Sequence, residues 1–362
     1  MRALYPVRYF PTLTETFIRD EVEGMAQAGC AVTVASLGRR ADGALADPLP
    51  GVPVVEVPRR PLLGRVQPST AAQRQLARWQ RPKDAQRLPW LRRLASDFDL
   101  LAVHFAGEAA EFAWAIRQDG GPPYVVTVHA VDLFKPRPSI ARVLADAGAV
   151  LTVAEHHQRA LADRYGIAAS LVRCGPVLDR FAHLPPPPSG PLRALFIGRD
   201  VPKKGLDTLF EAWDGAPAGA ELRVVSDRTG GGLPPGVRLL GLQPRGAVVE
   251  HLGWCNLVIA PCREAPDGDL DGVPVVLMEA LAAGRPVLTT PVSGIPELVD
   301  AAVGWLVPPD DPGALRAALD TITEEEISRR GSRGPARLRN RGYTRDTQVT
   351  LAQRAWNGCC GL

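Results

Sequence analysis

Residues 267 to 290 read DGDLDGVPVVLMEALAAGRPVLTT, which sets Asp267, Asp269, Asp271 and the isolated Glu279 around one short apolar segment. Gly272 and Pro274 mark a turn, and VVLMEALAAG reads as a helix that starts near Val275 and closes at Gly284. The N–H groups of a first helical turn have no intrahelical partner, and they stabilise an anion by about 0.3 to 1 kcal/mol. Helical side chains lean toward the N-terminus, so Glu279, one turn beyond Val275, can reach back to a ligand at that end. A carboxylate between Met278 and Ala280 is costly to bury unless it accepts hydrogen bonds, and ribose hydroxyls donate them. Asp271, Gly272, Val273, Pro274, Val275 and Glu279 therefore form a candidate site for a sugar nucleotide. The competing reading makes Glu279 a surface residue, on a helix whose apolar neighbours leave little polar face.

A second constellation is LFIGRDVPKKGLDTL, residues 195 to 209. An apolar strand runs into Gly198 and Arg199, and a loop with Lys203, Lys204 and Gly205 opens a helix. A guanidinium and an ammonium at a strand's C-terminal end suit a diphosphate, since charge-assisted hydrogen bonds are worth about 1.5 to 3 kcal/mol each. Alone, such a run also describes a solvated turn; its weight comes from the carboxylate pair. Two histidines complete the inventory. His129 ends the strand-like YVVTVHA and His104 ends LLAVHFA, strand-end positions for which a structural role is the alternative.

The elements that must carry these residues are short β-branched runs alternating with helical patterns. CAVTVASL, LLAVHFA, YVVTVHA, AVLTVAE, RALFIGR, ELRVVS, NLVIAPC and PVLTT read as buried parallel strands. The alternation predicts an α/β chain with two doubly wound parallel sheets. The proline tract LPPPPSGP divides it, giving a first domain over 1–184, a stiff linker over 185–191 and a second domain over 192–344. Ligands of open parallel sheets bind at the strands' C-terminal ends, so a cleft between two such domains is the expected site. Neither half carries a Gly-x-Gly-x-x-Gly turn or a Walker-type loop, which removes the main support for nicotinamide enzymes and nucleotide triphosphatases.

The 362 residues carry a net charge of only +3, unevenly spread. Between Arg59 and Arg93 ten basic residues face the single acid Asp84, so this segment holds +9 and the remainder −6. It reads either as a solvated helical face or as a surface for anionic headgroups, where each Lys or Arg contributes about 1 kcal/mol. A nucleic-acid role is not expected, for want of a binding module. The six cysteines lack zinc spacing and read as reduced, structural thiols, so no metal is expected. No apolar run approaches the ~18 residues of a membrane span, and no cleavage site follows the N-terminus, so the expected location is cytoplasmic, peripheral at the inner membrane face if residues 59–93 bind lipid.

These motifs together resemble the retaining, nucleotide-sugar-dependent glycosyltransferases of family four. GRDVPKKGLDTL is similar to their phosphate-binding segment, and DGDLDGVPVVLMEALAAGRPVLTTPVSGIPELV to their signature of two carboxylates with seven residues between them. FPTLTETFIRDEV, and THA with Asp132, resemble the subgroup that builds bacterial exopolysaccharides of the colanic-acid type. The likeness runs from about residue 5 to 310. It implies the GT-B fold, two Rossmann-like doubly wound parallel-sheet domains facing across a cleft, with a final helix over about 345–362 completing the first.

Carried over, the resemblance implies that Arg199 and Lys204 bind the donor diphosphate, Glu279 the ribose and Asp271 the transferred sugar. His129 would lie beside that sugar near the reacting centre, and His104, Glu15, Thr16 and Arg19 on the acceptor side. Catalysis would rest on His129, Lys204, Arg199 and Asp271. The first carboxylate of the pair is commonly Glu, and Asp271 is one methylene shorter; Pro176 interrupts what in relatives is a Gly-Val-Asp turn. The expected activity is metal-independent transfer of a hexose-type sugar from a nucleoside-diphosphate sugar to a saccharide, lipid-linked or natural-product hydroxyl, with no cofactor. A nucleotide-sugar epimerase and a noncatalytic sugar-nucleotide-binding protein are the alternatives.

Overall fold

The computed structural model describes residues 1–46, 49–58 and 69–361. They divide into two units, one of Met1–Val172 with Asp346–Leu362 and one of Arg173–Arg345.

The first unit is built on strands β1 (Arg2–Val7), β2 (Ala31–Ser36), β3 (Val54–Glu56), β4 (Leu100–His104), β5 (Tyr124–Val128), β6 (Ala149–Thr152) and β7 (Ser170–Leu171). They pair in parallel in the order β3-β2-β1-β4-β5-β6-β7. Alternate residues feed opposite faces: Leu4, Leu101, Val103 and Val126 join one apolar cluster, and Ala3, Tyr5, Leu100 and Val125 the other. Both faces are thus buried, which is why these strands read as continuous apolar runs. The helix Glu108–Gln118 covers one face with Phe112, Trp114 and Ile116; Thr16–Gln27 and the last helix, Arg345–Cys360, cover the other through Ile18, Val22, Val349 and Trp356.

Strand β1 carries Pro6 in the middle of the sheet, where a missing N–H should break a ladder. Leu37 N donates to Val7 O and Asp99 N to Arg2 O, so even-numbered residues of β1 face β4. Pairing with β4 runs only through Ala3 and Leu4, so Pro6 faces a side where the ladder has already ended. The opening falls at the β1/β4 switch point, where strand order reverses.

The second unit repeats the plan with β8 (Arg193–Ile197), β9 (Glu221–Val225), β10 (Val237–Leu239), β11 (Leu257–Ala260), β12 (Val287–Thr289) and β13 (Gly304–Leu306), ordered β10-β9-β8-β11-β12-β13. Its switch point lies between β8 and β11. The unit begins ahead of the proline tract, because residues 173–184 already pack on it: Phe181 enters its core, and Arg173 Nη2 lies 3.3 Å from Glu297 Oε2. The tract itself, expected as a spacer, is fastened to the same unit. Arg285 Nη1 donates to Pro185 O at 2.9 Å, and Asn256 Nδ2 to Pro191 O at 3.2 Å.

Of the basic segment, residues 59–68 lie outside the described ones. The helices Ala71–Trp79 and Leu88–Ala95 turn Leu76, Leu88, Leu91 and Ala95 into the core of the first unit and leave Arg74, Arg78 and Arg93 exposed. Their apolar stripe is therefore already occupied. Among the described residues no helix is long and apolar enough to cross a membrane.

Candidate functional site

In the second unit the loops after β8 and β11 meet at the switch point. Strand β8 delivers Gly198 and Arg199, and a single 3-10 turn, Pro202–Lys204, delivers the two lysines. Gly205 then adopts φ +65°, where a Cβ would overlap the Pro261 carbonyl oxygen just past β11. Glycine is needed there both for the left-handed backbone and for the close approach. Arg263 ties the loops together: its backbone N–H donates to Lys203 O, its Nε to Pro202 O at 2.7 Å, and its guanidinium reaches Asp207 and Asp310, each at 2.7 Å.

Lys204 Nζ stands 2.6 Å from Asp271 Oδ2, while Lys203 Nζ lies 3.3 Å from Asp271 Oδ1 and 3.1 Å from Asp269 Oδ1. All of these side chains are mostly buried. Burial pushes the Lys204 pKa down, but Asp271 outweighs it and the net displacement is upward. Burial likewise pushes Asp271 up, and Lys204 followed by Lys203 brings it below the usual carboxylate range. The charges are thus maintained in a desolvated setting, the condition under which a cation binds a phosphate strongly. Arg199 lies near enough for its own charge to oppose that of Lys204. Gly198 keeps the lysine stem close: a Cβ there would sit 3.4 Å from Lys204 Cδ.

Residues Gly272, Val273 and Pro274 lead from Asp271 into the helix Val275–Ala282. Glu279 is only 8% exposed on that helix, and Val276, Leu277, Met278 and Ala280 around it are buried. The surface reading of Glu279 does not hold. Of the Asp267-x-Asp269 pair, Asp269 faces Lys203 and its N–H donates to Asp267 Oδ1 at 3.1 Å, while Asp267 is exposed. Among the described residues no group of three or more His, Cys, Asp or Glu side chains is placed to hold a metal ion.

In the first unit His104 and His129 come together at the ends of the neighbouring strands β4 and β5. His104 Nδ1 lies 3.1 Å from His129 Nε2, and His104 Nε2 lies 3.1 Å from Glu21 Oε1, off the line of a well-formed hydrogen bond. Glu21 also accepts from Tyr5 OH at 3.0 Å and from Gln348 Nε2 of the last helix at 2.7 Å. Burial, then His104 and His157, holds the His129 pKa well below the ordinary imidazole range. Asp132 caps the helix Ala130–Phe134 by accepting from His129 N at 2.9 Å, and burial raises its carboxyl to about 7. Phe105, at φ +68°, holds its ring 4.5 Å from that of His129. A positive φ at a bulky residue is strained backbone of the kind that clusters at functional sites.

Glu15, Thr16 and Arg19 surround Phe17 on the first turn of the helix Thr16–Gln27, half-buried. The Phe17 ring stands 4.8 Å from His129 and 5.8 Å from His104, so this turn shares the histidines' end of the sheet. His104 itself is only 3% exposed, enclosed by Tyr5, Phe17 and Glu21.

Two family models match in sequence order: Glycosyltransferase Family 4 over residues 14–177 and Glycosyl transferases group 1 over residues 191–325. This chain belongs to the family 4, group 1 glycosyltransferases. Among curated members, the amylovoran biosynthesis glycosyltransferase AmsK of Erwinia amylovora is 35% identical over 38% of this chain and 37% of its own. The putative colanic acid biosynthesis glycosyltransferase WcaL of Escherichia coli is 34% identical over 43% of each. The chain thus spans about two-fifths of the length of these relatives. Among solved structures, Anabaena HepE in complex with UDP and glucose superposes with a TM-score of 0.78 at 17% identity, covering 99% of each chain. The two Rossmann-like parallel sheets are those of the GT-B class.

For this family member, sequence reading located the lysines, the carboxylates and both histidines but passed over Arg263, Cys262, Glu21, Phe105 and Gln348. Glu21 stood in the quoted FPTLTETFIRDEV stretch, one helical turn beyond Phe17, and that spacing was the signal. Arg263 carried no signal, since its partners are brought to it only by the fold. Cys262 lies 4.0 Å from Asp271 Oδ2 with its thiol pushed up to about 12, first by burial and then by Asp271, so it lines the site as a neutral group.

Proposed function

We propose that this chain is a retaining glycosyltransferase that moves a hexose-type sugar from a nucleoside-diphosphate sugar to a hydroxyl of a saccharide, lipid-linked or natural-product acceptor, without a metal ion. The single observation that carries the reading is the buried Lys204–Asp271 pair at the β8/β11 switch point, with Glu279 on the helix that follows. Cations and acids side by side suit a ligand with a pyrophosphate at one end of its sugar and hydroxyls around it. Biosynthetic relatives in polysaccharide assembly, and HepE with UDP and glucose, support a nucleotide-sugar donor.

Breaking the bond from the anomeric carbon to the diphosphate develops negative charge on the leaving oxygens. Arg199, Lys204 and the N–H groups at the start of Val275–Ala282 are the donors assigned to that charge, and losing one such donor typically costs about 2.7 to 4 kcal/mol. Asp271 is assigned to the sugar hydroxyls, Glu279 to the ribose, and His129 to the sugar beside the reacting centre. His104, Glu15, Thr16 and Arg19 are assigned to the acceptor side. No carboxylate is assigned as a covalent nucleophile, so front-side displacement is favoured, in which the leaving phosphate takes the acceptor's proton. Lys203 beside Asp269 supports metal independence by supplying the positive charge locally. The exposed Arg74, Arg78 and Arg93 support electrostatic contact with an anionic membrane at the inner face.

The test is incubation of the protein with a panel of nucleoside-diphosphate sugars and saccharide acceptors, with and without EDTA, followed by product mass and anomeric configuration. Transfer with retained configuration in EDTA supports the reading. Conversion of the donor to an isomer without acceptor, or inverted product, overturns it.

A further inference from the structure

Beside His129 lies a buried polar array of Glu21, Tyr5, Gln348 and His104, of which the donor and acceptor assignments use His104 alone. A buried carboxylate that accepts from a tyrosine hydroxyl and a glutamine amide and stands 3.1 Å from an imidazole nitrogen is expensive to assemble, and through His104 it reaches His129 at the end of the sheet. We propose that Glu21 and His104 are positioning residues that fix the tautomer and ring orientation of His129. This rests on the role assigned to His129 under the proposed function.

The argument follows the protons. Two imidazole nitrogens 3.1 Å apart share one hydrogen between them. The Glu21 carboxylate beside His104 Nε2 favours a proton on that nitrogen, which leaves His104 Nδ1 as a lone pair. His104 Nδ1 then accepts from His129 Nε2–H, and His129 Nδ1 is left unprotonated. The Asp132 N–H is taken up by His129 O at 3.0 Å, so the tautomer is selected through the His104 contact. The groups facing the array are Tyr5 and Gln348 around Glu21, and Asp132 and His157 around His129. Gln348 belongs to the last helix, so the chain's return to the first unit also anchors Glu21.

Long-range nitrogen-proton NMR of the histidine rings tests this on the full chain without substrate, with His129→Asn used to assign the His129 signals. The wild type is expected to show the Nε2–H tautomer at both His104 and His129. Glu21→Gln removes the anion while keeping the side chain's size, and is expected to populate the Nδ1–H tautomer of His129 and to lower kcat by about tenfold or more, as loss of a histidine-orienting carboxylate does elsewhere. Donor KM should change less than threefold, and Glu21→Asp should restore part of kcat. Circular dichroism and thermal melting of each variant exclude misfolding as the cause, and a variant that fails to fold is replaced by His104→Asn read by the same spectra. A His129 tautomer that is unchanged in folded Glu21→Gln, or that is Nδ1–H in the wild type, overturns the proposal. Correct tautomers in a protein with no transfer activity would instead strike at the proposed function and leave the array standing.

Discussion

Lys204 Nζ lies 2.6 Å from Asp271 Oδ2, and each of the two draws the other's pKa toward its charged form against the pull of burial. The relationship is therefore mutual: removing either partner leaves a desolvated charge behind. Lys204→Ala is expected to reduce turnover by roughly a hundredfold to a thousandfold, the range for a lost leaving-group donor, and to abolish the thermal shift given by nucleoside diphosphate. Asp271→Asn has a different signature. With the acid gone, burial lowers the Lys204 pKa, so diphosphate affinity should fall as pH rises through the alkaline range, where the wild type holds steady. Calorimetric titration across pH reads this, and identical pH profiles for the two proteins would refute the coupling.

Arg263 holds Pro202, Asp207 and Asp310 around the base of the lysine loop. Both aspartates are more than half exposed, so the ion pairs contribute little and the buried end of the guanidinium carries more of the effect. Arg263→Met is expected to cost about 1 to 2 kcal/mol in denaturant unfolding. Diphosphate affinity should drop at the same time, although Arg263 is given no contact with the ligand. A loss of stability with unchanged affinity would separate the arginine from the loop's geometry.

The close approach at Gly205 offers a sharper test. An alanine there pays about 1 to 2 kcal/mol for the left-handed backbone alone, and its methyl also meets the Pro261 carbonyl. Gly205→Ala should therefore destabilise more than Gly230→Ala, at a positive-φ glycine with nothing near its added Cβ. Equal melting temperatures for the two variants would show that the loops after β8 and β11 are not in contact as described.

Much of this was legible in the chain itself, for physical reasons that also explain what was not. Strands buried on both faces, such as β5 and β11, announce themselves as apolar β-branched runs, and each of the eight such runs singled out contains a strand. The edge strands β3, β7, β10 and β13 are two or three residues long and partly exposed, which leaves no pattern to read. Strand β1 was obscured by Pro6, whose tolerance depends on where the neighbouring ladder stops. Glu279 stood out because an acid is rare on an apolar helix, and Asp271 because it closes the acidic loop that leads into it. That the proline tract is fastened to the second unit was not legible, because its anchors, Asn256 and Arg285, are distant in sequence. Glu21 carried only its helical spacing from Phe17 as a signal, because the groups that enclose it, Tyr5, His104 and Gln348, are distant in sequence.

Asp132 supplies a pH-dependent test of the first unit. Its carboxyl titrates at about 7 in the folded protein, raised by burial from an ordinary value of 3.8. Between those limits the folded state holds a proton that the unfolded state has released, so Asp132 favours folding at low pH and that contribution is lost as pH rises toward 7. Asn keeps an oxygen for the His129 N–H and never ionises. Relative to the wild type, Asp132→Asn should therefore gain stability on going from pH 4 to pH 8, by an amount on the order of a few kcal/mol. The comparison must be made as a difference between the two proteins, because His157, depressed to about 4, acts in the opposite sense: its contribution is full above pH 6.5 and is lost as pH falls. Urea unfolding of both proteins at the two pH values measures the difference. A gain of the same size at pH 4 and pH 8 would mean that Asp132 ionises as it would in water and is not enclosed beneath His129.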